Sequence, residues 1–196
     1  MAQLERDVIA VVQKQAPRLA KRGIKKEFKE KFDALKQEMI KEFLNHPISV
    51  ELAAGPRSAN ISGTLGGVSN LFAFIGFSRG DDPLFPIIQI LESTDFREES
   101  IINKGRKIGI NYSVNLPEAQ TIFNATPLPW AAGRSWAKGM ESGLSGLGYL
   151  LRKSSSASRS GVAVQSKKRV RGGRFQNIPY ISQLLNKYKK KFDKLK

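Results

Sequence analysis

Residues 23–47 read GIKKEFKEKFDALKQEMIKEFLNHP. Within this stretch Ile24, Phe28, Phe32, Leu35, Met39 and Phe43 recur at intervals of four and three. That spacing gathers them on one face of an α-helix. Lys25, Lys29, Glu30, Lys36 and Lys41 occupy the other faces. His46-Pro47 closes the helix, because the residue before a proline is pushed out of helical geometry. Toward the N-terminus the helical pattern reaches residue 3, interrupted by Pro17 and Gly23. Proline removes a backbone hydrogen bond and glycine raises the entropic cost, so 3–45 reads as one helix or two.

Beyond residue 47 the pattern changes. Ile48, Val50 and Leu52 alternate with Ser49, Glu51 and Ala53, which predicts a strand. Residues 55–70, GPRSANISGTLGGVSN, read as a turn-rich linker, and Leu71–Phe77, LFAFIGF, apolar on both faces, as a central strand. Arg79–Asp82 turns the chain, and a short helix is expected within Pro83–Ser93, starting at Pro86 or the turn before it. Residues 107–117, KIGINYSVNLP, give the strictest alternation. Ile108, Ile110, Tyr112, Val114 and Leu116 point one way, and Gly109, Asn111, Ser113 and Asn115 the other. This is the signature of an antiparallel strand with one buried face.

Ser135 is a suitable N-cap for a helix over about 136–150. Trp136, Met140, Leu144 and Leu147 fall on one side of it, and Gly139, Gly143 and Gly146 on an adjacent stripe. A polar loop, SSSASRSG (154–161), follows, and GVAVQ (161–165) could open a short strand. Pro179 suits the first turn of a last helix. Ile181, Leu184, Leu185, Tyr188, Phe192 and Leu195 form its apolar face, with Lys187, Lys189, Lys190, Lys191 and Lys194 around the rest. The predicted fold is α+β: a long N-terminal helix, then a twisted antiparallel sheet with helices packed on one face. A basic C-terminal extension ending in an amphipathic helix completes it. The expected segments are 1–45 (helical), 46–150 (α+β core) and 151–196 (basic tail).

The chain of 196 residues has a net charge of +16 and no cysteine. Disulfides and thiolate metal sites are therefore excluded. No apolar run approaches the roughly 20 residues needed to span a bilayer, and the charged start MAQLERDVIAVVQKQ lacks a signal-peptide core. No membrane partner is expected. Charge is unevenly placed: residues 1–45 hold 11 Lys+Arg against 7 Asp+Glu, residues 46–150 hold 8 against 9, and residues 151–196 hold 14 against 1. Such asymmetry points to an anionic partner, either nucleic acid or an acidic protein surface.

Signals for catalysis are few. His46 is the sole histidine, and alone it makes no familiar zinc site. Asp81-Asp82 lies between Gly80 and Pro83, where acidic residues make turns. Glu98-Glu99 precedes an apolar pair. A metal-using enzyme built on these two acidic pairs is the weakest of three readings, because no calcium-loop spacing supports it. ISGTLGG (61–67) lacks the Gly-Lys-Ser/Thr ending of a phosphate-binding loop. Ser135, Ser142 and Ser145 have no partner histidine. No catalytic residue, metal or cofactor is expected.

Two stretches carry more. KKRVRGGRF (167–175) contains Lys167, Lys168, Arg169, Arg171 and Arg174, five cations in eight residues, with two glycines. Such a tract can neutralise phosphates in a sequence-independent way. The other is WAAGRSWAKGMESGLSGLGYLL (130–151), which sets Trp130 and Trp136 beside four glycines, Gly139, Gly143, Gly146 and Gly148. Glycine inside a helix costs about 1 kcal/mol relative to alanine. The stripe is therefore expected to allow close approach of another backbone. Trp136, Gly139, Met140, Gly143 and Gly146 are the candidate subunit-contact residues, with Trp136 packed inward and some of the glycine side meeting a neighbour.

This segment, and the order of elements along most of the chain, resembles the neck and tail-completion proteins of tailed bacteriophages. The resemblance implies a non-enzymatic structural protein of the virion, at the head-to-tail connector, neck or tail-completion position. It implies copies in a ring between other rings, neighbouring connector and tail proteins as partners, and packaged DNA nearby. The family has no catalytic residues to carry over, and the basic extension after Lys153 exceeds its usual pattern. The second reading is a nucleic-acid-binding protein with an electrostatic tail, of ribosome- or nucleoid-associated type.

Overall fold

The structure is a computed structural model, and it describes residues 2–67, 70–104, 107–129, 131–142, 149–151, 164–166 and 177–195. Its spine is helix α1, Ala2–Asn45, which runs through Pro17 as a single element. At 1.5 Å per residue it is about 66 Å long. The predicted apolar face packs as expected: Phe28, Phe32, Met39 and Phe43 are buried, joined by Ile40, and Leu35 packs against them. His46 leaves the helical region, and its Nδ1 accepts the Ile48 N–H at 3.3 Å.

Residues 47–53 correct the first strand expectation. They form helix α2, Pro47–Ala53, with proline in its first turn and His46 as N-cap. Ile48, Ser49, Glu51 and Leu52 are buried while Val50 is 40% exposed, a helical distribution rather than an alternating one. A single 3₁₀ turn, Gly55–Arg57, and a run of turns then lead to residue 67.

The expected central strand at 71–77 is also a helix, α3, Leu71–Ile75, with every residue buried. Asn70 caps it, its Oδ1 accepting the Ala73 N–H at 2.8 Å. Gly76, at φ 91°, ends it in the left-handed region, and the Phe77 N–H returns to the Phe72 carbonyl. This is the glycine-terminated helix end that only a residue without Cβ adopts cheaply.

Helix α4, Phe85–Glu92, agrees with the sequence reading. Strands β1, Asp95–Lys104, and β2, Lys107–Asn115, form an antiparallel ladder with an irregularity between Glu98 and Ser100. Phe96, Tyr112, Val114 and Leu116 pack against the core, but Ile101 and Ile102 remain 49% and 39% exposed. Helix α5 (Ala119–Asn124), strands β3 (Pro127–Leu128) and β4 (Ala131–Ser135), and helix α6 (Trp136–Ser142) follow. Next come β5 (Tyr149–Leu151), β6 (Val164–Ser166) and α7 (Ile181–Phe192). The expected helix therefore stops before 149, where a strand pairs with β6.

The class is mixed helix and strand, but the twisted sheet is replaced by three two-stranded antiparallel ladders among the described residues, β1–β2, β3–β4 and β5–β6. Two of the segments expected to build a sheet are helical, and among the described residues no third strand joins β1 and β2. One core takes side chains from α1, α2, α3, α4, α5, α6 and α7, with Met39, Ile48, Ile75, Leu91, Ile122, Trp136 and Tyr188 all at 1% exposure or less. No helix among the described residues is long and apolar enough to cross a membrane.

Candidate interaction surface

The apolar face predicted for the last helix packs α7 onto α1: Ile181, Leu184, Leu185, Tyr188 and Phe192 are buried, and the Phe192 ring lies 5.3 Å from that of Phe32. The edge of this contact is ionic. Lys187 Nζ stands 2.6 Å from Glu42 Oε2, and Lys191 Nζ 2.7 Å from Glu38 Oε1. The Tyr188 hydroxyl donates to Glu42 Oε2 at 2.8 Å, and Lys191 Nζ sits 4.8 Å from the Tyr188 ring centroid. The hydrogen bond from Lys187 holds the Glu42 carboxyl below its ordinary range, and that from Lys191 does the same for Glu38. Burial, then the hydrogen bond to Glu42, pushes the Tyr188 phenol well above its usual value. Lys189, Lys190 and Lys194 are exposed and have no carboxylate partner among the described residues.

Helix α6 begins as the sequence indicates, with Ser135 Oγ accepting the Lys138 N–H at 3.1 Å. Trp136 is 1% exposed, edge-on to Phe77 at 5.9 Å and tilted against Tyr180 at 6.3 Å. Met140 and Gly139 are buried too, and the Met140 carbonyl accepts the Ile178 N–H at 3.0 Å. Glu141 accepts both the backbone N–H and the hydroxyl of Ser182 at 2.6 Å. Trp136 packs inward, as expected from the sequence, and Gly139 and Met140 are buried in this chain's own fold. Gly143 and Gly146 lie outside the described residues, as do Lys167, Lys168, Arg169, Arg171 and Arg174.

The acidic pairs have local roles. Asp81 Oδ2 accepts the Ser78 N–H at 2.6 Å, and Asp82 Oδ1 accepts the N–H groups of Leu84 and Phe85 at 3.1 and 3.2 Å where α4 opens. Glu98 pairs with Lys21 of α1 at 2.7 Å, fastening the β1–β2 ladder to the helix. No group of three or more metal-ligating side chains occurs among the described residues. His46, half-buried against Tyr180, is pushed below the usual imidazole range by burial, with a hydrogen bond to the Pro179 backbone and the Glu42 charge acting in the opposite direction.

Sequence reading missed the polar cluster under the 58–67 turns. Glu51 is fully buried, and its carboxylate accepts from Asn60 Nδ2 at 3.0 and 3.1 Å, from the Ser62 N–H at 2.9 Å and from the Leu71 N–H at 2.6 Å. Asn60 Oδ1 in turn accepts from Leu65 and Gly67. Its only trace in the sequence is a glutamate alternating with Ile48, Val50 and Leu52, a pattern that predicts a strand. A second missed feature is an open groove of about 860 Å³ between α1 and β2, lined by Ile24, Phe28, Ile108, Ile110, Tyr112 and Phe192 among others.

The chain matches no protein-family model, no curated protein and no solved structure.

Proposed function

We propose that this chain is a non-enzymatic structural component of a tailed-phage virion, acting in the neck, connector or tail-completion region as a ring of identical copies between head and tail. The observation that carries the reading is the arm formed by α1 and the β1–β2 ladder. The core-packing residues of α1 run from Phe28 to Phe43, whereas Pro17–Ala20 are exposed. The ladder meets α1 at Lys21 and Phe28 and presents Ile101 and Ile102 to solvent, and Leu19 on α1 is 62% exposed. A two-stranded ladder is marginal by itself and its free edges invite pairing. A long helix and a ladder carrying exposed apolar side chains suit insertion between neighbouring subunits. Copies related head-to-tail around an axis close into rings. The partners are then other copies of this chain, adjacent connector and tail proteins, and DNA through the basic C-terminal region. The site of action is the virion, after synthesis in the host cytoplasm.

Native mass spectrometry and electron microscopy of the purified chain test this reading. Closed rings of a single stoichiometry are expected, and Ile101→Lys/Ile102→Lys should disperse them without altering the monomer's melting temperature. A chain that stays monomeric at every concentration and is absent from purified particles would overturn the proposal. If that monomer binds DNA, the nucleic-acid-binding reading takes its place.

A further inference from the structure

Residues 187–194 hold five lysines against one carboxylate, Asp193. Within α7 itself there is no acidic residue. Helix α1 is arranged differently: Lys26, Lys29 and Lys31 each pair with a carboxylate four residues away. The charge of α7 is therefore not neutralised along its own axis. Glu42 and Glu38 take Lys187 and Lys191 at the seam with α1, which leaves Lys189, Lys190 and Lys194. At 100° per residue Lys190 falls opposite Ile181, on the outward side, and Lys189 lies 100° round from it on one flank. Lys194 is exposed in the turn that follows the helix. The helix dipole favours cations in the last turn by about 0.3–1 kcal/mol, which accounts for one or two lysines but not for three unpaired ones beside two paired ones.

We propose that the solvent side of α7 and of the turn after it, carrying Lys189, Lys190 and Lys194, binds the phosphate backbone of nucleic acid without reading base sequence. Charge complementarity selects this occupant. The same face of a second copy repels it, as like charges do, whereas a phosphate polyanion releases counterions on meeting it. Lysine engages phosphate as a point charge. The aromatic residues of α7, Tyr188 and Phe192, are buried in the core, so none stacks on a base. The seam through Glu38, Glu42 and Tyr188 holds the helix backbone in one orientation, with these lysines on its solvent side. This surface is distinct from the 167–174 tract and does not rest on the virion reading.

The test uses the full chain and a short mixed-sequence DNA duplex, followed by fluorescence anisotropy across a salt series. K189Q/K190Q/K194Q is compared with K26Q/K29Q/K31Q, which removes the same net charge from paired lysines of α1. The α7 triple is expected to weaken binding and to make the log–log salt slope shallower by about 2–3, with an unchanged melting temperature. The control triple should change the slope by less than half as much. Lys190→Glu alone, a single change at the most outward position, should act in the same direction and serves if the triple variant is unstable. Absence of wild-type binding at low salt, an unchanged slope in the α7 variants, or equal losses in both triples would each overturn the proposal. Binding to polyglutamate but not to DNA would assign the face to an acidic protein and overturn it as well.

Discussion

Glu51 has no exposed surface, and all its hydrogen-bond donors are neutral: the Leu71 and Ser62 N–H groups and the Asn60 amide. A buried carboxylate persists only where such donors replace water. Glu51→Ala removes the acceptor and leaves the buried Leu71 N–H unsatisfied, at about 1–3 kcal/mol, and also releases the half-buried Asn60 and Ser62 donors. Chemical denaturation should therefore show a loss of at least about 1–3 kcal/mol, and a midpoint within experimental error of wild type would mean that the turns at 58–67 are not held from α2. His46 acts at the opposite end of that helix. Its Nδ1 accepts a hydrogen bond and its pKa is lowered in the fold by burial, so the folded state binds the proton less well than the unfolded chain. Stability from this residue is fully present above the ordinary value of 6.5 and is lost as the pH falls toward the folded pKa. His46→Asn keeps a capping side chain that does not titrate. Melting curves from pH 7.5 to 5 (about one unit either side of the imidazole range) should fall more steeply for the wild type than for this variant. Parallel curves would remove His46 as the source.

At the scale of elements, α2 separates helix from strand most sharply. A strand would put Val50 on the same face as Ile48 and Leu52, whereas the helix leaves Val50 40% exposed and buries Leu52 to 1%. Val50→Lys should therefore shift stability by no more than about 0.5 kcal/mol, while Leu52→Ala should cost about 2–5 kcal/mol. Comparable losses from the two changes, measured by urea unfolding, would favour the alternating arrangement. The same competition explains LFAFIGF. A short apolar run reads equally as a buried strand or a buried helix turn, and here the Asn70 cap, the Glu51 carboxylate on the Leu71 N–H and the left-handed Gly76 select helix. Strand β1 stayed hidden for a different reason. Its first half, DFREE, is charged and mostly exposed, so alternation is carried only by Phe96, and its register is set by β2 rather than by its own pattern.

For the whole molecule, the core depends on the chain's last helix. Tyr180, Ile181, Leu184, Leu185, Tyr188 and Phe192 are buried among residues of α1 and α6 as well as their own helix, and the Tyr180 hydroxyl bonds Ser49 of α2 at 2.8 Å. A chain ending at residue 176 should lose cooperative unfolding and expose apolar surface, seen as dye binding and a flattened near-ultraviolet circular dichroism spectrum. A truncated chain that melts cooperatively near the wild-type temperature would make α7 an appendage. The sequence by itself determined the amphipathic stretch 24–43 of α1 and helix α7, with most of the residues they bury (Ile40 was missed), because a helix of several turns repeats its apolar face often enough for the period to be legible. It also determined the partition of charge and the strand at 107–115, whose alternation runs the length of the element. Tertiary structure alone decided the conformation of 47–53 and 71–75, the rings that Trp136 meets, and which lysines of α7 are paired. Segments of five to seven residues cannot fix their own backbone, since helix nucleation is unfavourable without outside contacts. Those contacts come from partners far away in sequence: Glu51 for Leu71, Tyr180 for Trp136, and Glu38 and Glu42 for Lys191 and Lys187.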